Sequence, residues 1–265
     1  MGVIRTDLWL EDDFYNYEKI CSRLSKSFSD DSPNKIYKYL SQFGMYKPNR
    51  QSYENFTELK KRNYWEKTEE IFRKYKKEWR GPNIPIYIFP MASINSLFSK
   101  VKTTKSGVAF KDKLFLFLTP FEDDLELEAL FIHEYHHTCR LQHQNKKIED
   151  ATLIDSMILE GLAEHTVKKY CGKNYIAQWC EYYSEKEFLY FWERFLKQQI
   201  STKRFSNLHD DILYGRGKYP KMIGYAAGFA IVSMYKEEMD FSLQESFRLD
   251  SQSFIPSHLN EKITE

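Results

Sequence analysis

From Asp123 to Gln144 the chain runs without a glycine or proline, DDLELEALFIHEYHHTCRLQHQ, and four of its seven histidines fall in that run. An unbroken stretch of this length with apolar residues at helical spacing predicts an α-helix. A start is expected at TPFE, where Thr119 can cap, Pro120 suits the first helical position and Glu122 completes a capping box. On a helix each residue turns ~100° and rises ~1.5 Å, so His133 and His137 stand about 40° and ~6 Å apart and can converge on one ion. Glu134 lies roughly 80° to one side of that pair, too oblique to join it as a ligand but close enough to hold a metal-bound water. Pairing His133 with His136 instead would turn Glu134 about 130° away from the ion. Only the first pairing gives Glu134 a use, and it is the HExxH arrangement of a zinc peptidase, two ligands and a general base. His136 is left as a supporting or packing histidine, and His143, ~9 Å along the axis from His137, is too far to share the ion.

A catalytic zinc takes three protein ligands and an open position. The best source of the third is EGLAEH, residues 160–165, on a second expected helix, TLIDSMILEGLAEHTVKKYC, that stops at Gly172. Glu160 and Glu164, four apart, share one face. One can bind the metal while the other accepts a hydrogen bond from a ligand imidazole. His165, about 140° round from Glu160, faces elsewhere.

Bulk properties narrow the partner. The 39 basic and 38 acidic side chains nearly cancel in 265 residues, whereas a nucleic-acid or membrane-surface binder carries a basic excess, so neither partner is expected. Cys21, Cys139, Cys171 and Cys180 form no CxxC pair and read as reduced thiols. The start MGVIRT fits the short myristoylation pattern, but MGVIRTDLWLEDDF lacks the apolar core of a signal peptide. No run approaches the ~20 apolar residues of a membrane span, so a cytoplasmic protein is expected.

Residues 1–80 read as an N-terminal helical region, with amphipathic helices over FYNYEKICSRLSKSF and ENFTELKKRNYWEKTEEIFRKYKKEWR, the second stopped by GPN. A second domain is expected over 81–265. In its first part, 81–172, IPIYIFP and DKLFLFLT read as strands, and SKVKTTKSGVAF as a loop leading to an edge segment at Gly107–Phe110. Its second part, 173–265, reads as a helical subdomain broken by HDDILYGRGKYP, and the small residues of GYAAGFAIVSMY would let another element approach closely.

HEYHH followed by EGLAEH resembles the gluzincin zinc metallopeptidases. From SGVAFKDKLFLFL through both motifs to YPKMIGYAAGFAIV the chain is similar to the YjaZ-like family of bacterial predicted zinc-dependent proteases, over roughly residues 85–250. The resemblance implies a helix-rich α+β, zincin-like fold with a small mixed sheet over the HExxH helix, and one Zn²⁺ per chain. It implies His133, His137 and Glu160 as ligands, Glu134 as base, and Glu164 as the carboxylate supporting a ligand histidine. It further implies that the edge strand of Gly107, Val108, Ala109 and Phe110 pairs with an extended peptide. The absence of a GxMEN motif, by which many zinc aminopeptidases hold a substrate N-terminus, points to endopeptidase-like action on a peptide or protein. A donor for the oxyanion is still needed. Tyr225 in IGYAAGF is the first candidate, with Arg216, Tyr214, Tyr219 and His209 in reserve and Arg216 also a candidate substrate contact. The alternatives are a non-enzymatic metal-binding or regulatory protein on the same scaffold, for which Glu134 would have no use, and a hydrolase acting on a non-peptide amide.

Overall fold

The short apolar runs around Ile88 and Leu116 become adjacent strands, as their bounded, Ile- and Phe-rich composition predicts. The computed structural model describes residues 1–92, 105–144 and 146–260. The strands are β1 (Ile86–Pro90), β2 (Lys105–Ala109) and β3 (Leu114–Leu118), in the order β1-β3-β2. β1 runs parallel to β3, with Ile86 opposite Leu114, and β2 runs antiparallel to β3, with Gly107 opposite Leu116. β1 and β3 are buried throughout, which is why they read as continuous apolar runs, while β2 is half-buried along its whole length. Of the loop expected before it, residues 99–104 lie outside the described residues, and Lys105 and Ser106 already belong to β2.

Helices dominate the rest, so the protein is a helix-rich α+β chain with a small three-stranded mixed sheet. It divides into two compact units, Met1–Thr138 and Cys139–Glu265, and the division falls inside a helix rather than near residue 80. In the first unit α1 (Thr6–Asp13), α2 (Tyr17–Ser22), α3 (Pro33–Ser41), α4 (Arg50–Lys61) and α5 (Tyr64–Trp79) accompany the sheet. The residues before 80 are bound into it. Val3 forms a parallel bridge to Ile86, the Ile86 N–H donates to Gly2 O (3.0 Å), and the Thr6 hydroxyl donates to Ile88 O (2.5 Å) while accepting from the Trp65 indole (2.8 Å).

Three helix boundaries differ from expectation. The run 14–28 is not one helix but α2, capped by the Asn16 side chain, and a 3-10 turn at Ser25–Phe28 that ends at Ser29 and Asp30 with positive φ. The run 54–80 breaks at Asn63, which adopts a left-handed φ of 57° and separates α4 from α5. The histidine-bearing helix α6 spans Leu125–His143 and does not start at Thr119. Its approach is held by tertiary contacts instead: buried Phe121 donates its N–H to the Tyr64 hydroxyl (2.7 Å), and its carbonyl accepts from Arg62 (2.8 Å). Asp123 then caps the Leu125 N–H (2.9 Å).

The second unit contains α7 (Leu153–Cys171), α8 (Glu185–Phe191), α9 (Asn207–Tyr214), α10 (Ile223–Glu238), α11 (Leu243–Arg248) and α12 (Ser257–Asn260). α7 begins at a capping box between Thr152 and Asp155 and ends at Gly172, whose φ of 95° suits glycine. Its core joins Leu153, Met157, Ile158 and Leu162 of α7 to Ile223, Ala227 and Ile231 of α10. These helices cross backbone to backbone. A Cβ on Gly161 would strike Gly228 O, and one on Gly228 would strike Met157 O, so the small residues of α10 do admit a close neighbour. The break expected over 209–220 is shorter: α9 runs through Tyr214, and the turn begins at Gly215 (φ 70°) and includes Gly217 (φ 62°). No disulfide joins any of the four cysteines. No helix among the described residues is long and apolar enough to cross a membrane.

Candidate metal centre

α6 is fixed by one aromatic face. Phe131 and Tyr135 pack on Phe72 of α5 (ring centroids 6.3 and 5.6 Å), and Tyr135 also stacks on Trp79 (5.7 Å) and donates its hydroxyl to Pro82 O (2.9 Å). His136 is fully buried edge-on to Trp79 (6.5 Å), the packing place expected for the odd histidine. With that face committed, His133 and His137 present their rings together on another, centroids 4.5 Å apart and 77° between planes.

One ligand atom from each of His133, His137 and Glu160 lies within 4.8 Å of the other two, and this is the one such group of three among the described residues. His133 and Glu160 are half-buried and His137 is buried. Two imidazole nitrogens and one carboxylate oxygen suit a divalent cation of zinc's character, and three ligands leave a position for water. The donor set therefore fits the metal that the sequence implies.

Glu134 is buried against the strand edge. A Cβ built on Gly107 would lie 2.6 Å from its Cγ and 2.7 Å from its Cδ and Oε1, so the carboxylate occupies space that any other residue at 107 would fill. β2 is held there by Lys105, which reaches Glu126 Oε2 (2.5 Å) and Glu126 O (3.1 Å) in the first turn of α6. Val108 and Ala109 complete the edge strand. Phe110 lies just past it, with its ring in a cluster with Phe28, Tyr39 and Phe115 (5.9, 6.1 and 6.0 Å). The sequence marked Gly107 as an edge residue and missed its abutment on Glu134, which no spacing rule encodes.

On α7, Glu160 sits beside Gly161, so the close crossing with α10 sets the height of the ligand-bearing turn. Glu164, one turn on, is buried; its carboxylate accepts from the Ala177 N–H (2.7 Å) and from the Cys180 thiol (3.9 Å). Burial and the Glu164 charge push the Cys180 thiol well above its ordinary pKa, so it stays protonated and able to donate. His165 faces away, as expected: its Nε2 meets Phe229 O (3.1 Å) and Ser233 Oγ (3.0 Å), and its ring stacks on Phe229 (4.2 Å). Burial lowers its pKa to about 4. His143 bonds Cys139 O (2.8 Å) and stacks on Phe247, outside the metal group.

Tyr225 is half-buried near the start of α10, with its ring 5.1 Å from Trp179 and 5.7 Å from Tyr214. Arg216 is exposed on the turn after α9, 5.0 Å over the Tyr214 ring. Tyr219 packs on Phe195 (5.6 Å). His209 is buried between Ser156 Oγ and Asp210 Oδ1, 2.9 Å from each, which leaves it a structural tie between α9 and α7. Trp179 was not anticipated, because its short 3-10 segment has no hydrophobic period to read.

Comparison with known proteins gives this geometry a lineage. The family described as "Predicted Zn-dependent protease (DUF2268)" matches residues 64–256. The uncharacterized protein YjaZ of Bacillus subtilis (strain 168) is 34% identical over 221 residues, 83% of this chain and 85% of the relative. The uncharacterized protein YjfC of the same organism is 22% identical over 138 residues, 49% of this chain and 46% of its own. No solved structure matches the chain. The family match takes in His133, His137, Glu134 and Glu160, and the chain belongs to the YjaZ-like family of predicted Zn-dependent proteases.

Proposed function

We propose that the protein is a zinc-dependent peptidase of zincin-like fold, endopeptidase-like, acting on peptides or proteins in the cytoplasm rather than on nucleic acid or membrane. The observation that carries this reading is the convergence of His133, His137 and Glu160 to within 4.8 Å, next to a buried glutamate in an HExxH frame. These three residues would hold one Zn²⁺, with Glu164 and His136 supporting the helices that carry them. When bound, the ion supplies a Lewis acid and a water of pKa near ~7. Glu134 takes a proton from the attacking water and returns it to the leaving amine, and its place against Gly107 puts that transfer beside the strand edge. The edge from Gly107 to Phe110 offers backbone hydrogen bonds to an extended substrate. Tyr225 donates to the oxygen that develops charge. A purely metal-binding protein would have no use for Glu134 in that position, which favours turnover over the binding-only alternative.

The test is metal content in parallel with cleavage of a peptide library. About one zinc per wild-type chain is expected, lost in Glu160→Ala and largely kept in Glu164→Ala. Glu134→Gln should retain the metal while turnover falls by at least ~10³-fold. Wild type that binds no zinc after reconstitution sinks the reading, and metal loss in Glu134→Gln would make that residue a ligand.

A further inference from the structure

The turn after α9 carries a cation with an unusual setting. Arg216 is exposed, and among the described residues no carboxylate pairs with its guanidinium; its Cζ lies over the Tyr214 ring, 5.0 Å from the centroid. Tyr214 in turn packs on Tyr225 (5.7 Å), and Tyr225 on Trp179 (5.1 Å). The row of rings thus runs from the Arg216 guanidinium to the 177–180 segment, whose Ala177 N–H and Cys180 thiol hold Glu164, one turn from Glu160. Local charge reinforces the setting. From Ile212 to Lys236 the sequence contains no acidic residue, and Lys218 and Lys221 follow Arg216, with Asp210 and Asp211 ahead of it. Both lysines are exposed, and each lies over a tyrosine ring, Tyr219 at 5.4 Å and Tyr182 at 5.3 Å. In a chain whose net charge is +1, this is a local positive field, not a global one.

The ring contact matters because it restricts the guanidinium while its N–H donors stay open to solvent. Those donors match a carboxylate two by two, at lower entropic cost than a freely moving side chain. We propose that Arg216, held by the Tyr214–Tyr225–Trp179 row, is a specificity-determining residue that binds a carboxylate of the peptide substrate. The proposal rests on the peptidase reading and adds a substrate class to it: peptides carrying an acidic side chain or a free C-terminus at the position that reaches this turn.

Binding and cleavage are measured separately. The zinc-loaded Glu134→Gln protein, with Arg216 intact or changed to Gln or Lys, is titrated with fluorescent peptides in matched pairs. One pair differs by Glu or Gln at a single position, and the other by a free or amidated C-terminus. With Arg216 intact, one pair should show a preference for the carboxylate of roughly five- to tenfold in Kd; Arg216→Gln should abolish it and Arg216→Lys restore part of it. The pair that responds identifies the source of the carboxylate. In the Glu134-intact enzyme the same substitution should raise KM with kcat little changed. Equal affinity within both pairs, no saturable binding of either carboxylate peptide, or a loss in Arg216→Gln that is the same for Gln and amidated peptides would overturn the proposal. A carboxylate preference in binding without cleavage by the unmodified protein would remove the peptidase reading and leave the anion site standing.

Discussion

Gly107 and Gly228 lack the same atom for different reasons. At the sheet edge the space beside Gly107 is filled by the Glu134 side chain from Cγ to Oε1, which a change of rotamer can move. In the α7–α10 crossing the space beside Gly228 is filled by the Met157 carbonyl, which belongs to a helix and cannot move alone. The first glycine sets where a reactive group rests, and the second sets where a whole helix lies. A side chain added at either place should therefore fail differently, in function at one and in stability at the other.

Gly228→Ala should have the largest effect. Relieving the clash means parting α7 from α10, with an expected loss of about 3 kcal/mol or more, beyond ordinary overpacking because the opposing atom is backbone. Zinc affinity should fall with it, since Glu160 adjoins Gly161 in the displaced turn. Urea unfolding and a zinc titration measure the two losses, and a variant as stable as wild type would contradict the close crossing.

Acid should loosen the same crossing through His165. Its pKa falls from 6.5 to about 4 on folding because it is buried. Near pH 7 both the folded and unfolded chains hold it mostly neutral. Between pH 6.5 and 4 the unfolded chain takes up a proton that the folded one refuses, so stability declines as pH drops, by about 3 kcal/mol once pH 4 is reached. His165→Gln, which can still donate to Phe229 O, should show a flatter decline between pH 7 and 4.5 in urea midpoints. Equal slopes for the two proteins would assign the acid sensitivity to other groups.

Gly107→Ala should be the mildest for the fold and the most selective for chemistry. Glu134 must change rotamer but no backbone atom opposes the methyl, so unfolding should shift by only about 1–2 kcal/mol and zinc content should hold. The displaced base should lower kcat on the order of tenfold, with KM little changed. A large stability loss with unchanged kcat would show that the glycine serves packing alone.

The two glycines also mark how far the sequence could be read. The β1 and β3 runs, the unbroken histidine helix and the Gly172 stop were legible because each is local: composition and spacing suffice. His133 and His137 were legible from helical spacing, which narrowed the third donor to Glu160 or Glu164; the family resemblance chose Glu160, the one that groups with the two histidines. The start of α6 was not, because Tyr64 and Arg62, far back in the chain, take the N–H and carbonyl of Phe121. Nor was the break at Asn63, where a left-handed residue interrupts a run whose polarity fits one long helix. Two partners of Glu164, the Ala177 N–H and the Cys180 thiol, come from the 177–180 segment, whose short 3-10 turns carry no periodic signal. What escaped the sequence was therefore set by residues distant along the chain or by a single residue's backbone conformation, neither of which has a period to read.

The half-buried strand β2 has a further consequence, for association between copies of the chain. Its only strand partner among the described residues is β3, so among those residues one row of its backbone groups has no strand beside it. An open edge is a template for any extended chain, including a neighbouring copy, and long apolar edges nucleate aggregates. This one is five residues long, about 17 Å, with a glycine at its centre and a lysine at its start. Glycine weakens pairing, and the lysine repels an identical strand laid beside it in parallel register. The edge is thus long enough to seat one short segment and too weak to seed a stack, so a strand that docks there can also leave.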